Sequence, residues 1–254
     1  MEMNILSYQD FLNTQNSLNQ SEDLTQPFLG VEDIDEHIRR ASGGRLIIIG
    51  GRPMQGKSYI LDKILSNVAI SNKSLFCSTI KSNVNIADRL QRIVKETPEA
   101  ASNIFTFCSS DITCEQLIDN IRKAIEEKGI RYIFIDEIKY SFTNWGWNEW
   151  NLPKYTIHLL KKLALDYNVT IICTYITNWE AEERPGTDGK YPIMIDFEGI
   201  ADFADIVIGV HRPTYYHILQ DEYGESTSKT INVNIIKSPL IGQYTIKLKN
   251  TCSE

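Results

Sequence analysis

The sequence predicts an α/β fold with a mainly parallel, twisted sheet flanked by helices and a C-terminal antiparallel extension. Apolar runs of strand length alternate with segments of helical pattern through most of the chain, which is typical of a parallel sheet. A glycine-rich turn follows the first of these runs and leads into a helix. From residue 215 to 248 polar and apolar residues alternate instead, with turn residues near Gly224 and Pro239, so antiparallel strands are expected to finish the sheet.

The predicted strands and helices each have a local signal. The strand candidates are apolar runs at 45–50, 74–79, 103–107, 131–136, 169–174 and 204–210, followed in the extension by 231–235. A short helix is predicted around 31–41, ended by Gly43-Gly44. Later helices are predicted to begin near Lys57, Asn85, Thr113 and Pro153. Thr113 opens a capping box with Gln116, and proline suits the first turn of a helix.

A phosphate-binding pattern occupies the turn after the first strand. Two glycines, a lysine and a hydroxyl residue stand at the required spacing in Gly51-Arg52-Pro53-Met54-Gln55-Gly56-Lys57-Ser58. Lys57 would reach the β- and γ-phosphates of a nucleotide, Ser58 would ligate Mg²⁺, and the following helix would direct its positive dipole end at the phosphates. We therefore predict that this loop and the adjacent Tyr59 bind ATP with Mg²⁺. The alternative is a strand-to-helix turn that fits the pattern by chance.

Two adjacent acids follow the fourth apolar run. Asp136 ends the strand candidate and Glu137 comes directly after it. In phosphate-loop enzymes an acid at this position holds Mg²⁺, and a neighbouring glutamate can polarise the attacking water. We predict these roles for Asp136 and Glu137. The alternative is that the aspartate only caps the strand and the glutamate is solvated.

Composition bounds the class of protein. The chain has 254 residues, 42% of them hydrophobic, which suffices for a full core in one domain. A net charge of −7 argues against a protein that binds nucleic acid with its whole surface, but it is compatible with a local basic channel. Cys77 and Cys173 lie in apolar runs and no CxxC pair occurs, which predicts free thiols in the reducing cytoplasm. No run reaches membrane-spanning length, and the histidines lack metal-site spacing, so neither a membrane contact nor a structural metal is predicted.

The character of the sequence changes near residue 27. Residues 1–27 are rich in Asn, Gln and Ser, which indicates an N-terminal tail or, equally, an arm that docks on a neighbouring subunit. Phe11 and Leu12 would be the buried contacts of such an arm. Residues 28–254 are predicted to form a single ATPase domain.

With these residues placed, the chain resembles the C-terminal motor domain of DnaB-type replicative helicases, which has a RecA-like phosphate-loop NTPase fold. The resemblance rests on Arg52-Pro53 inside the phosphate loop, the lead-in segment 29–35, the late strand at 204–207 with His211-Arg212 after it, and Lys237 with 239–242. It covers roughly residues 28 to 250 and is collinear with the family throughout.

The resemblance implies ATP-driven helicase or translocase work on DNA in replication, in a protein encoded by a phage or mobile element. It implies a homo-oligomer, with a hexameric ring as one form, that contacts single-stranded DNA and a replication protein in a bacterial or phage-infected host cell. Lys237, together with Arg212, would face the phosphates bound by a neighbouring subunit. Thr174 or Tyr175 would serve as the polar sensor for which the family uses glutamine.

The sequence departs from the family pattern at two further points. The catalytic acid that follows the family's second strand is absent near Ile80, so Glu137 would have to replace it. The family's arginine after Lys237 is replaced by Ser238-Pro239. These departures keep a second function open, namely a hydrolysis-impaired, nucleotide-gated assembly or helicase-regulatory protein.

Two loops would line the central channel of such a ring. The loop 139–152 carries Trp145, Trp147 and Trp150, which we expect to stack on bases of single-stranded DNA. The alternative is a hydrophobic anchor or a protein contact. The second loop sets three acids, Glu180, Glu182 and Glu183, against Arg184 and Lys190. Grooves that track a nucleic acid backbone are normally basic, so DNA contact is expected to be weak.

Overall fold

A computed structural model describes residues 28–38, 44–79, 83–109, 112–138, 152–185, 191–239, 242 and 244–249. The helices are α1 Glu32–Asp35, α2 Lys57–Val68, α3 Asn83–Glu96, α4 Cys114–Lys128, α5 Leu152–Tyr167 and α6 Glu180–Glu183. The strands are β1 Arg45–Gly51, β2 Ser74–Ser78, β3 Ile104–Cys108, β4 Tyr132–Ile138, β5 Thr170–Ile176, β6 Ile206–His211, β7 Thr230–Lys237 and β8 Tyr244–Lys249. Short 3-10 helices span Pro98–Asn103, Met194–Phe197 and Pro213–Tyr216.

The eight described strands form one sheet in the order β3-β2-β4-β5-β1-β6-β7-β8. Strands β1 to β6 pair in parallel, and β7 and β8 add to the edge in antiparallel orientation. Strand β1 lies between β5 and β6, so Ile48 has Cys173 and Val207 as its neighbours in the two pairings. This arrangement confirms the predicted fold class.

Helices cover both faces of the sheet. Leu46 and Ile48 pack into a core with α4 and α5, whereas Ile47 and Ile49 pack into a second core with α2 and α3. Every residue of β1 is buried, because a parallel strand covered on both faces has no solvent side. That burial explains why the sequence shows a continuous apolar run here and not an alternating one.

Several element boundaries differ from the sequence prediction. Helix α1 spans four residues, much shorter than the predicted 31–41, and residues 39–43 lie outside the described part. Strands β4 and β5 each continue two residues past the predicted ends, because pairing with neighbouring strands extends them beyond the apolar run. The boundary of α4 is confirmed: Thr113 Oγ1 accepts from the Gln116 N–H at 3.2 Å, and Gln116 Oε1 accepts from the Thr113 N–H at 3.0 Å.

Other predictions concern the cysteines and the loops. Cys77 and Cys173 are buried free thiols, as predicted, and burial raises the pKa of both. The tail 1–27 and the tryptophans of the loop 139–151 lie outside the described residues. None of the helices in the described ranges has the length and apolarity that crossing a membrane requires.

Candidate nucleotide site

The phosphate-loop segment connects the carboxyl end of β1 to the first turn of α2. A Cβ atom at Gly51 would lie 2.6 Å from the carbonyl oxygen of Val210 on β6, so the close approach of these strands requires glycine. Gly56 has φ +102°, a left-handed conformation that other residues adopt with difficulty, and it is the N-cap of α2. It has no side chain to cap the helix, so the first-turn N–H groups are suited to bind an anion.

Lys57 is buried inside the loop that it follows. Its Nζ donates to the carbonyl oxygens of Gly51 at 3.0 Å and Arg52 at 2.9 Å. Glu137 Oε2 lies 3.9 Å from the same Nζ. The ammonium group is thus held where the phosphate loop closes, among acceptors that a phosphate group could replace.

Asp136 lies across from the loop at the end of β4, with 2% of its surface exposed. Ser58 Oγ is 3.4 Å from each carboxylate oxygen of Asp136, and Thr174 Oγ1 on β5 donates to Oδ1 at 2.8 Å. Mg²⁺ prefers oxygen ligands and keeps several of its waters, so a hydroxyl beside a carboxylate fits this ion. The predicted metal residues Ser58 and Asp136 are therefore adjacent in space, and Thr174 contacts the aspartate directly.

Glu137 follows Asp136 on β4 and is also largely buried. Thr79, at the end of β2, donates from Oγ1 to the backbone carbonyl of Glu137 at 3.1 Å. The carboxylate lies beside Lys57 and not in solvent, which removes the alternative of a solvated side chain. Residues 80–82, where the family's catalytic acid would stand, lie outside the described residues.

The remaining loop residues have different surroundings. Arg52 turns toward the segment after β5, donating from Nε to Glu182 Oε1 at 3.0 Å and from its terminal nitrogen to the Thr177 carbonyl at 2.7 Å. Pro53 and Met54 are exposed at the tip of the loop. Tyr59 lines a groove between α2 and α3. The backbones of Arg52 and Tyr59 thus lie beside the nucleotide site, whereas their side chains contact other parts of the chain.

Lys237 and Arg212 do not lie together. Arg212 follows β6 next to this chain's own phosphate loop, and its backbone N–H donates to Gln55 Oε1 at 2.5 Å. Lys237 pairs with Val207 near the start of β6, about 16 Å of strand away, and its Nζ donates to the Ala201 carbonyl at 2.7 Å. The antiparallel β6–β7 register thus separates the two residues along the sheet, and their joint contact with a neighbour's phosphates stays a prediction.

Arg89 and Asp62 are site residues that the sequence reading missed. Arg89 on α3 contacts Asp136 Oδ2 through a terminal nitrogen and Asp62 on α2 through Nε, at 2.7 Å. Burial opposes the charge on Arg89, but Asp62 and Asp136 outweigh it and raise the pKa of the guanidinium. A signal was available: Ile86, Arg89 and Ile93 share one helix face, and a charged residue within an apolar stripe is unusual unless it is paired.

Comparison with known proteins gives a family and several relatives. The model of the DnaB-like helicase C terminal domain matches residues 80–249, more than half of the chain. A probable plasmid replicative DNA helicase from Chlamydia psittaci is 24% identical over 220 residues, which cover 74% of this chain and 46% of that protein. DNA repair protein RadA from Campylobacter jejuni is 32% identical over 165 residues, covering 62% of this chain and 34% of that protein. The chain thus spans about half the length, or less, of these curated relatives.

Solved structures share the fold over nearly the whole chain. One solved ATPase domain superposes with a TM-score of 0.73 at 16% identity, covering 95% of this chain and 94% of that one. A DnaB-like replicative helicase, described with its interactions with primase, gives a TM-score of 0.74 at 18% identity, covering 96% and 66%. These likenesses confirm the RecA-like fold, and the match over residues 80–249 shows that the chain belongs to the DnaB-like helicase C-terminal domain family.

Proposed function

We propose that this chain is an ATP-hydrolysing motor domain that drives helicase or translocase work on DNA in replication. The observation that carries the proposal is the convergence of Lys57, Ser58, Asp136 and Glu137 at the carboxyl ends of β1 and β4. Ligands of open α/β sheets bind at this edge, outside the carboxyl ends of the strands. Membership of the DnaB-like family supports the link to DNA.

Each residue has a separate role in the proposed reaction. Bound Mg-ATP supplies the phosphoanhydride bond and the metal charge that balances the phosphates. Ser58 and Asp136 would hold the metal, with Thr174 keeping Asp136 in place through its 2.8 Å hydrogen bond. Lys57 would exchange the carbonyl oxygens of Gly51 and Arg52 for phosphate oxygens. Glu137 would then accept a proton from the attacking water, in place of the acid absent near Ile80.

We also propose a homo-oligomer, single-stranded DNA as the track and a replication protein as a partner. Lys237 would reach the phosphates of the neighbouring subunit, since its position along β7 directs it away from its own loop. The alternative of a hydrolysis-impaired regulator uses the same nucleotide site. ATPase rates with and without single-stranded DNA separate the two, because the motor requires stimulation by DNA and the regulator does not.

The test of the nucleotide site is Lys57→Ala, with Lys63→Ala on the same helix as the matched control. Removing the cation that faces the phosphates should cost about 1.5–3 kcal/mol, or roughly 10- to 150-fold in ATP affinity. Isothermal titration calorimetry with Mg-ATP measures this loss, and circular dichroism checks that both variants stay folded. A wild-type protein that binds no Mg-ATP would refute the proposed function.

A further inference from the structure

A buried arginine lies between two carboxylates beside the proposed metal position. Arg89 is 5% exposed, and its guanidinium contacts Asp62 on one side and Asp136 on the other. The contact to Asp62 is forked, with Nε 2.7 and 2.8 Å from the two carboxylate oxygens and a terminal nitrogen 2.5 Å from Oδ1. Such a fork fixes the plane of a guanidinium as well as its position.

Two further contacts hold the same group. The terminal nitrogen that contacts Asp62 also donates to the carbonyl oxygen of Ser58 at 3.2 Å, and the central carbon of the guanidinium lies 4.9 Å from the centre of the Phe76 ring. Arg89 therefore connects α3, α2, β2 and β4 at one point. A side chain with this many ordered contacts is preorganised, so it can impose an orientation on its partner.

The partner whose orientation matters is Asp136. Arg89 donates to its Oδ2 and Thr174 donates to its Oδ1, so protein groups hold both oxygens of this carboxylate. Ser58 Oγ lies at the same distance from the two oxygens. A carboxylate held by one donor at each oxygen has a fixed orientation and keeps further lone pairs with which it could accept from water on a metal ion or bind the ion itself.

We propose that Arg89 is a positioning residue for the metal part of the nucleotide site: it fixes the orientation of the Asp136 carboxylate beside Ser58, and these two residues would hold Mg²⁺. Asp62 supports this role by anchoring the far side of the guanidinium. The inference rests on the proposed function, since it concerns the metal that accompanies the nucleotide. It predicts that Arg89 controls the Mg²⁺ requirement of nucleotide binding without contacting the nucleotide.

The test compares Arg89→Met, which keeps length without charge, with Arg89→Lys, which keeps charge without the fork. Arg92→Met is the matched control, because Arg92 lies on the same helix and lines the same groove between α2 and α3. ADP affinity is measured by calorimetry at a series of free Mg²⁺ concentrations and in EDTA. Loss of an outer-shell partner typically costs 10- to 100-fold in metal affinity, so the half-saturating Mg²⁺ concentration should rise about ten-fold or more in Arg89→Met and less in Arg89→Lys.

The EDTA measurement separates positioning from a merely structural role. Positioning leaves metal-free ADP affinity near the wild-type value, whereas general damage to the site lowers affinity with and without Mg²⁺. An unchanged or lower Mg²⁺ requirement in Arg89→Met would overturn the inference, as would an equal loss in EDTA. If Arg89→Met does not fold, Asp62→Asn replaces it in the test, because loss of the Asp62 carboxylate should loosen Arg89 and raise the Mg²⁺ requirement. An unchanged Mg²⁺ requirement in Asp62→Asn would contradict the inference. Wild-type protein whose ADP binding ignores Mg²⁺ would instead count against the proposed function.

Discussion

At the scale of single residues, Lys57 and Glu137 form a close pair that the proposed reaction would have to separate. The ammonium group of Lys57 is 3.9 Å from the Glu137 carboxylate and bonded to two loop carbonyls. Phosphate oxygens offer Lys57 stronger, charge-assisted partners than carbonyls do. In the proposed reaction Lys57 would turn to the phosphates, and Glu137 would be left free to act as the base.

This geometry predicts the behaviour of Glu137→Gln. The amide keeps the size of the side chain but cannot accept a proton from water, so turnover should fall by roughly two to four orders of magnitude while Mg-ATP still binds. Phosphate release measures turnover, and Glu127→Gln on the exposed face of α4 is the matched control. Unchanged turnover would mean that another group orients the water.

His211 carries a second prediction at the residue scale. The ring stacks between Tyr191 and Tyr216, with centroids 4.0 and 5.2 Å away, and burial lowers its pKa to about 4 from 6.5. The unfolded chain therefore takes up a proton that the folded chain refuses, so stability is lost as pH falls from about 6.5 toward 4. The contribution between pH 7 and pH 5 is about 2 kcal/mol.

Replacing His211 with phenylalanine should remove that part of the pH dependence. Urea unfolding at pH 7 and pH 5 measures it for both proteins, and the wild type should lose about 2 kcal/mol more than His211→Phe over this interval. Equal losses would show that the histidine titrates normally in the folded chain.

At the scale of elements, the helices, strands and turns that the sequence predicted are those whose causes lie in residues adjacent along the chain. The buried strands β1, β4, β5 and β6 appear as apolar runs, and the start of α4 appears as a capping box, because their causes are local. The phosphate loop is equally local, since the required residues occupy eight consecutive positions. The contacts of the phosphate loop with Asp136 and Glu137 could also be predicted, because the loop and an acid after a later strand are both parts of the known pattern of phosphate-loop enzymes.

Contacts that depend on register or on distant pairing were not predictable in the same way. Arg89 meets Asp136 47 residues away in sequence, and only the packing of α3 on the sheet brings them together. The separation of Lys237 from Arg212 follows from the antiparallel pairing of β6 with β7, in which Val207 lies opposite Lys237. Alternating polarity predicts that a strand is present but does not specify its partner or its register.

At the scale of the whole molecule, intramolecular ion pairs engage several of the cations near the nucleotide edge. Arg52 pairs with Glu182, Arg89 with Asp62 and Asp136, and Arg184 with Asp196. With a net charge of −7, these pairs leave less positive charge for a nucleic acid backbone. Any DNA contact of this chain should therefore neutralise few phosphates and depend only weakly on salt.

The arrangement of Lys57 and Lys237 makes a prediction about assembly. Lys57 follows the carboxyl end of β1, whereas Lys237 pairs with Val207 near the start of the parallel strand β6. Lys237 Nζ donates a hydrogen bond to the Ala201 carbonyl, away from the phosphate loop. If Lys237 completes a site, that site must belong to another subunit, in a head-to-tail contact. ATP should therefore strengthen self-association, and each active site should need residues from two chains.

Mixing variants tests this composite site. Lys57→Ala subunits retain Lys237, and Lys237→Ala subunits retain the phosphate loop, so each variant alone should hydrolyse ATP poorly. In an equimolar mixture about a quarter of the subunit boundaries combine an intact loop with an intact Lys237, and ATPase activity should recover to about that fraction. Mixing Lys57→Ala with the double variant Lys57→Ala/Lys237→Ala provides the control, because no boundary in it has an intact loop. A mixture no more active than its components, or a protein that stays monomeric with ATP at high concentration, would contradict the shared site.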